Sequence, residues 1–153
     1  MDTKTFSYNN GRVILQNKKV FNDIQALIQK ADIDSKSGKD FSKYFRDNLE
    51  ERGWEFNKKV VPGLGIRYGF RKEGIQIETQ FGNMARFYSD IFKLQLGFNK
   101  GDIDAGVLIV LTKRHAHQIG SNIAHYERAK RELMESRPLY SAPIWLVGIK
   151  MPI

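Results

Sequence analysis

Apolar residues recur every three or four positions along several stretches of the chain, and this spacing predicts amphipathic helices. The first helix is predicted at about 17–30 and the second along the stripe 41–49, with Asp40 as a possible cap and Gly53 as its end. A third stripe covers 84–94, and a basic helix is predicted at 121–135, with Ser121 as its cap.

Shorter runs rich in β-branched and aromatic residues predict strands. Three of them, at 56–61, 66–70 and 75–81, follow one another closely and predict a β-meander, with a turn at Pro62-Gly63. The almost uniformly apolar run 105–111 is typical of a central strand buried on both faces, and a last strand is predicted at 144–149.

The resulting order of helices and strands favours an α/β fold in which a mixed central β-sheet is flanked by helices. The 153 residues fit one domain, 1–153, and the loop-like segment 34–40 is expected to separate two helices rather than two domains. The apolar runs are too short to cross a bilayer, and the first residues lack the apolar core of a signal peptide. We therefore expect a cytoplasmic protein.

The charge balance makes a polyanionic partner plausible. The chain has 25 Lys and Arg against 17 Asp and Glu, a formal net charge of +8, although a basic soluble protein without such a partner is an alternative. The absence of cysteine excludes disulfides and thiolate chemistry, and it is compatible with a reducing compartment. His115 and His117 could form a zinc pair, but without an evident third ligand a loop is the better interpretation.

Glu78 and Gln80 are the candidates for chemistry, because strand alternation puts both side chains on one face. An acid followed two residues later by lysine, or by a substitute for it, ends a nuclease signature in which a carboxylate and a strand carbonyl hold a divalent cation. The spacing alone is also typical of a solvated strand face.

Three segments carry a resemblance to a known family: IQIETQFGN at 75–83, FYSD at 87–90 and GDIDAGV at 101–107. Together they resemble the BglII/BstYI group of type II restriction endonucleases, which has the restriction-endonuclease-like fold of the PD-(D/E)xK superfamily. The resemblance covers roughly residues 40–112. It implies a Mg²⁺-dependent homodimer that cuts double-stranded DNA at a short palindrome.

The resemblance also implies roles for single residues. Glu78 would bind Mg²⁺, and Gln80, which stands where related nucleases have lysine, would orient the attacking water or help to position the metal. Asn83 would read a base, for which a side-chain amide is suited, although a helix cap is an equal alternative. Lys113 and Arg114 follow the central strand and could contact DNA phosphates, or lie in a solvated loop.

The chain departs from the group at one metal-binding position. The group has an aspartate about nine residues before the glutamate, where this chain has Gly69, and the nearest similar triplet carries Arg67. The protein is therefore either inactive or uses another acid, for which Glu50, Glu51 and Glu73 are candidates; we retain Glu51 as a candidate catalytic residue.

Three hypotheses follow from the sequence. The first is a DNA endonuclease of the restriction type, and the alternative is a catalytically inactive DNA-binding relative that lacks the metal-binding aspartate. The third is an RNA-binding or protein-binding domain that shares only the fold.

Overall fold

The computed structural model of the protein describes residues 3–31 and 37–150. In chain order, the elements within these residues are β1 (Thr3–Tyr8), α1 (Gly11–Gln16), α2 (Val20–Gln29), α3 (Gly38–Glu51), β2 (Glu55–Phe56), β3 (Phe70–Lys72), β4 (Ile75–Gln80), α4 (Met84–Asn99), β5 (Ala105–Leu111), α5 (Lys113–Ile119), α6 (Tyr126–Glu135) and β6 (Ile144–Ile149). The predicted loop 34–40 lies partly outside the described residues.

The strands form one mixed sheet in the order β1-β6-β5-β4-β3-β2. Strands β4, β5 and β6 are parallel, while β1 pairs antiparallel with β6 and the β2-β3-β4 side is an antiparallel meander. The predicted mixed sheet and the central position of β5 are confirmed, since all seven residues of β5 are buried.

Helices cover both faces of the sheet. The apolar residues of α1, α2 and α3 pack on one face and those of α4 and α6 on the other. The two layers account for the uniformly apolar sequences of β5 and β6, because every second residue points into each layer.

Strand β4 differs, because only one of its faces is apolar. Ile75 and Ile77 join the core on the α1–α3 side. Gln76, Glu78 and Gln80 alternate with them, and all three are buried on the side of α4. The Glu-x-Gln pair therefore lies in a buried polar layer between β4 and α4, not on a solvated strand face.

The meander is shorter than predicted. Strand 56–61 is reduced to β2, and the strand predicted at 66–70 begins only at Phe70. The intervening residues form an irregular hairpin held by a bridge between Lys59 and Arg67 and by a bond from the Val60 amide to the Ile66 carbonyl. Because β3 pairs only with 75–77, the edge of β4 is open from Glu78 onward.

Several local predictions were wrong. Strand β1 and helix α1 were missed, and residues 113–119 form α5 rather than a loop. Ser37, not Asp40, caps α3, and α6 begins at Tyr126 with His125 as its cap, so Ser121 lies outside it. None of the helices among the described residues is long and apolar enough to span a membrane.

Candidate active site

A cleft of about 460 Å³ opens beside the first residue of β3, where the edge of β4 is free. It receives side chains from α3, the 57–69 hairpin, β4 and α4. The lining residues are Ser42, Lys43, Arg46, Phe56, Asn57, Arg67, Tyr68, Gly69, Phe70, Glu78, Thr79, Asp90 and Lys93.

Glu78 lies at the inner wall of this cleft and is only 2% exposed. The backbone N–H of Gly69 donates to its carboxylate, at 3.0 Å from Oε2. Burial raises the pKa of Glu78 to about 8, and the nearby negative charge of Asp90 adds to this rise. The carboxylate is thus held where a bound cation would stabilise its charged form.

Asp90 reaches the same cleft from α4 and is 6% exposed. Its Oδ2 accepts a hydrogen bond of 2.7 Å from the Gln80 amide, and its Oδ1 lies 3.7 Å from the Lys93 Nζ. Burial raises the pKa of Asp90 to about 6, although the bond from Gln80 and the charge of Lys93 oppose the rise. Two buried carboxylates therefore face one cleft from a strand and a helix.

Gln80 does not line this cleft. Its Nε2 donates to Asp90, and its Oε1 accepts from the Gly82 N–H at 3.0 Å. Both ends of the amide are therefore engaged beside the cleft. A role of Gln80 in orienting water stays a prediction, whereas its contact with Asp90 is direct.

Gly69 stands beside Glu78, at the position where the resemblance implies an aspartate. A Cβ atom added to Gly69 would lie 2.5 Å from the Ile77 carbonyl oxygen and 2.9 and 3.1 Å from the two oxygens of the Glu78 carboxylate. The chain just before β3 therefore has no room for a side chain here unless Glu78 or the backbone moves.

We expect Gly69→Ala to destabilise the protein by about 1–3 kcal/mol, because the new methyl group overlaps backbone that cannot yield easily. Urea unfolding measures this. The matched control is Gly65→Ala, since nothing lies within 4 Å of a Cβ atom built there. A Gly69→Ala variant as stable as the control would contradict the close contact.

The other sequence-predicted acids lie elsewhere. Glu51 is exposed at the end of α3, Glu50 is exposed beside it, and neither lines the cleft. Glu73 is exposed in the β3–β4 turn. Arg67 does line the cleft, but its guanidinium donates to the Asn57 carbonyl oxygen at 2.7 Å, so the group beside Glu78 is Gly69 and not this arginine.

The DNA-binding candidates gather at the carboxyl end of β4 and β5. Asn83 caps α4, accepting at its side-chain oxygen from the Arg86 N–H at 3.2 Å, so the helix-cap alternative is correct for that oxygen. Lys113 and Arg114 are exposed in the first turn of α5. Residues 122–125 join the two places, because Asn83 bridges to Ile123 and Leu111 to His125.

The zinc hypothesis gains no support. His115 is buried in α5 with its ring nitrogen 2.9 Å from the Thr112 hydroxyl, and His117 contacts His125. Across residues 3–31 and 37–150, no cluster of three or more His, Cys, Asp or Glu side chains could hold a metal ion.

Sequence reasoning missed the helix-borne part of the cleft. Asp90 interrupts the buried stripe of α4 between Phe87 and Leu94, and a charge in that position was the available signal. Lys43, Arg46 and Lys93 were missed as well, since a lysine or arginine on a helix usually marks a solvated face.

The cleft suits a magnesium-type ion by the chemistry of its donors. Mg²⁺ prefers oxygen ligands and usually keeps several waters, so that one or two carboxylates and a substrate phosphate suffice. Glu78 and Asp90 supply two carboxylates. Four cationic side chains of the same cleft, Lys43, Arg46, Arg67 and Lys93, suit a phosphate.

Comparison with known proteins agrees with this fold. A family model described as restriction endonuclease BglII/BglIII matches residues 3–149. Restriction endonuclease BglII complexed with a DNA 16-mer is similar in structure, with a TM-score of 0.83 and 22% identity over 100% of this chain and 78% of that one. Free BglII has a TM-score of 0.77 and 22% identity over 97% and 79% of the two chains. No protein of curated function matches the chain by sequence.

Proposed function

The chain belongs to the restriction endonuclease BglII/BglIII family, and from that premise we propose that it hydrolyses DNA phosphodiester bonds at a short palindromic site with Mg²⁺ as its cofactor. The observation that carries the proposal is the cleft in which Glu78 and Asp90 lie among four cationic side chains. A site that must hold both a metal ion and a phosphate needs carboxylates for the ion and cationic side chains for the phosphate.

In this proposal Glu78 is a metal ligand, and the ion, when bound, lowers the pKa of water and stabilises the charge that develops on the phosphate. Lys43 and Arg46 reach the cleft from α3 and hold the DNA backbone against β4. Lys93 adds a positive charge next to Asp90, at 3.7 Å.

DNA binding is supported by charge and by position. The formal net charge of +8 favours a polyanion, and Lys113 and Arg114 offer phosphate contacts at the end of β5. Asn83 lies at the same end of the sheet and keeps its side-chain NH₂ group for a base edge while its oxygen caps α4.

A substitution of Asn83 can separate its role as the cap of α4 from its proposed role in reading a base. Asn83→Ser keeps a side-chain oxygen that can cap α4 but removes the amide, so we expect thermal stability close to that of the wild type. Specific DNA affinity should fall by about 1–3 kcal/mol. Asn83→Ala should in addition lose about 1 kcal/mol of stability. Affinity for random duplex DNA is the control, and an equal loss there would argue against base reading by Asn83.

A homodimer is part of the proposal because a palindrome presents the same half-site twice, which a twofold-symmetric pair of subunits matches. Helix α4 supports it by exposing Phe92 and Tyr88, which are 50% and 42% exposed. Such side chains on a helix surface are suited to contact with a second copy. Sedimentation velocity, with and without DNA, measures the state of association.

The second candidate function is a DNA-binding relative that does not cleave. Gly69 favours it, because the strand position that carries a metal-binding aspartate in the resembling group has no side chain here. The basic surface and Asn83 would still bind DNA in such a protein.

The deciding experiment is incubation of the purified protein with mixed-sequence duplex DNA, in Mg²⁺ and in EDTA, together with a gel shift. Discrete fragments that form only with Mg²⁺ support the nuclease. A shift without fragments supports the silent relative. If neither fragments nor a shift were seen, the protein would share only its fold with nucleases. A duplex RNA of the same sequence is the competitor for specificity.

A further inference from the structure

We infer that Asp90 of α4 is the second carboxylate of the metal site, in place of the strand aspartate that this chain lacks at Gly69. The inference rests on the proposed function, in which Glu78 is the first carboxylate. Gln80 then acts as a positioning residue, since it holds Asp90 and does not itself line the cleft.

The location of Asp90 is the first support. The residue lies on the inner face of α4, in line with Phe87 and Leu94, whose side chains are both fully buried. A carboxylate in that stripe costs stability that an apolar residue would not. It is nevertheless, among the described residues, one of the two carboxylates that line the cleft, with Glu78.

The hydrogen bonds of Asp90 are the second support. Its Oδ2 is fixed by the Gln80 amide at 2.7 Å, and the Gly82 N–H fixes that amide in turn at 3.0 Å. Oδ1 forms an ion pair with the Lys93 Nζ at 3.7 Å, a distance beyond the range of a strong hydrogen bond. One oxygen is therefore anchored by a chain of bonds, as is usual for an oriented metal ligand, while the other keeps coordination capacity.

The crowding at Gly69 is the third support. A Cβ atom there would lie 2.5 Å from the Ile77 carbonyl oxygen, so the residue just before β3 cannot be an acid while the backbone keeps its present course. Helix α4 packs on the face of β4 that carries Gln80, and from there Asp90 already lines the cleft with Glu78. A carboxylate on the helix supplies the missing charge without moving the strand.

Lys93 is the second charged residue that α4 contributes to the cleft. It stands one turn after Asp90 and lines the same cleft, with 24% of its side chain exposed. A cation at this place can meet a phosphate oxygen beside the metal, which the uncharged Gln80 cannot do.

The test is Mn²⁺ binding by the 153-residue protein without DNA. The EPR signal of free Mn²⁺ measures how much of the ion remains unbound. Mn²⁺ is the probe because it shares the oxygen ligands of Mg²⁺. We expect Asp90→Asn and Glu78→Gln each to raise the dissociation constant at least tenfold. Asp23→Asn, an exposed acid on α2 paired with Arg52, should stay within twofold of the wild type.

A second readout separates ligation from folding. Asparagine keeps an acceptor for the Gln80 amide and removes a charge beside Glu78, so the thermal midpoint of Asp90→Asn in EDTA should not fall. Wild-type Mn²⁺ affinity in Asp90→Asn, together with a loss in Glu78→Gln, would overturn the inference and leave the proposed nuclease intact. Absence of Mn²⁺ binding by the wild type would overturn it as well. Binding that depends on Asp90 in a protein that cuts no DNA would uphold the inference and refute the proposed cleavage.

Discussion

Replacement of Glu78 by glutamine should lower Mg²⁺-dependent DNA cleavage by on the order of a thousandfold, because several kcal/mol of transition-state stabilisation depend on a correctly held metal ion. Glutamine has nearly the same shape and can still accept from the Gly69 N–H. The cleft should therefore keep its form while it loses the charge that binds the cation. Single-turnover cleavage of duplex DNA in Mg²⁺ measures the rate.

DNA binding provides the internal control for this variant. Without a cation Glu78 keeps its proton near neutral pH, because burial raises its pKa to about 8, so glutamine leaves the charge of the cleft unchanged and the gel-shift affinity in EDTA should equal that of the wild type. Asp23→Asn is the matched substitution away from the cleft. Cleavage by Glu78→Gln at the wild-type rate would refute the role of Glu78.

Glu51→Gln belongs in the same series, because Glu51 is the acid that sequence reasoning retained as catalytic. Its position at the exposed end of α3, outside the cleft, leads us to expect an effect much smaller than that of Glu78→Gln. A comparable loss would show that α3 contributes an acid after all.

The replacement of the expected aspartate by Gly69 is interpreted differently from the structure than from the sequence. In the sequence it is a missing ligand, and the alternative alignment put Arg67 in that place. In the structure the Gly69 N–H is a hydrogen-bond donor to Glu78, and its lack of a side chain is what lets the carboxylate lie against β3. In our proposal the site is built around this glycine, with Asp90 lining the same cleft from α4.

Long elements with one clear period were predictable from the sequence. The bounds of β5 and β6 were predicted correctly, and α4 begins at the predicted residue. Their apolar residues pack into the core, and the spacing of these residues along the chain shows which type of element they form. Strand β1 was missed because it is an edge strand whose residues, apart from Tyr8, are not fully buried, so its sequence lacks a strong apolar pattern.

The short strands and caps depended on tertiary contacts. Residues 57–69 have strand-like composition, but they pair with each other rather than with β4, and this leaves the edge of β4 open. His125 caps α6 through its ring nitrogen, which accepts from the Arg128 N–H at 3.2 Å. Histidine is not among the preferred caps, so Ser121 was the natural but wrong choice.

The candidate site was predictable only in its strand half. Glu78 and Gln80 share a face as alternation requires, and the resemblance singled out both residues. The contact between β4 and α4 joins residues ten positions apart, and no local period reports it. Asp90 and Lys93 therefore entered the site only through the fold.

Metal-free Glu78→Gln should also be more stable than the wild type at alkaline pH, by about 2–4 kcal/mol. Burial and the charge of Asp90 raise the pKa of Glu78 from its ordinary value of 4.5 to about 8 in the folded protein. Between these two values the folded state keeps a proton that the unfolded chain has released. Wild-type stability from this group therefore falls as pH rises from 4.5 to 8 and is constant outside that window.

Glutamine cannot ionise, so the variant escapes that loss. Urea unfolding in EDTA at pH 5 and pH 9 measures the difference: the two proteins should nearly coincide at pH 5, and the variant should gain at pH 9. Asp23→Asn, on the exposed face of α2 and away from the cleft, is the matched substitution. An advantage of equal size at both pH values would come from packing. A gain in the free energy of unfolding that is confined to alkaline pH would mean that the folded protein favours protonated Glu78 until a cation binds. The wild type would then lose stability at alkaline pH for the sake of this site.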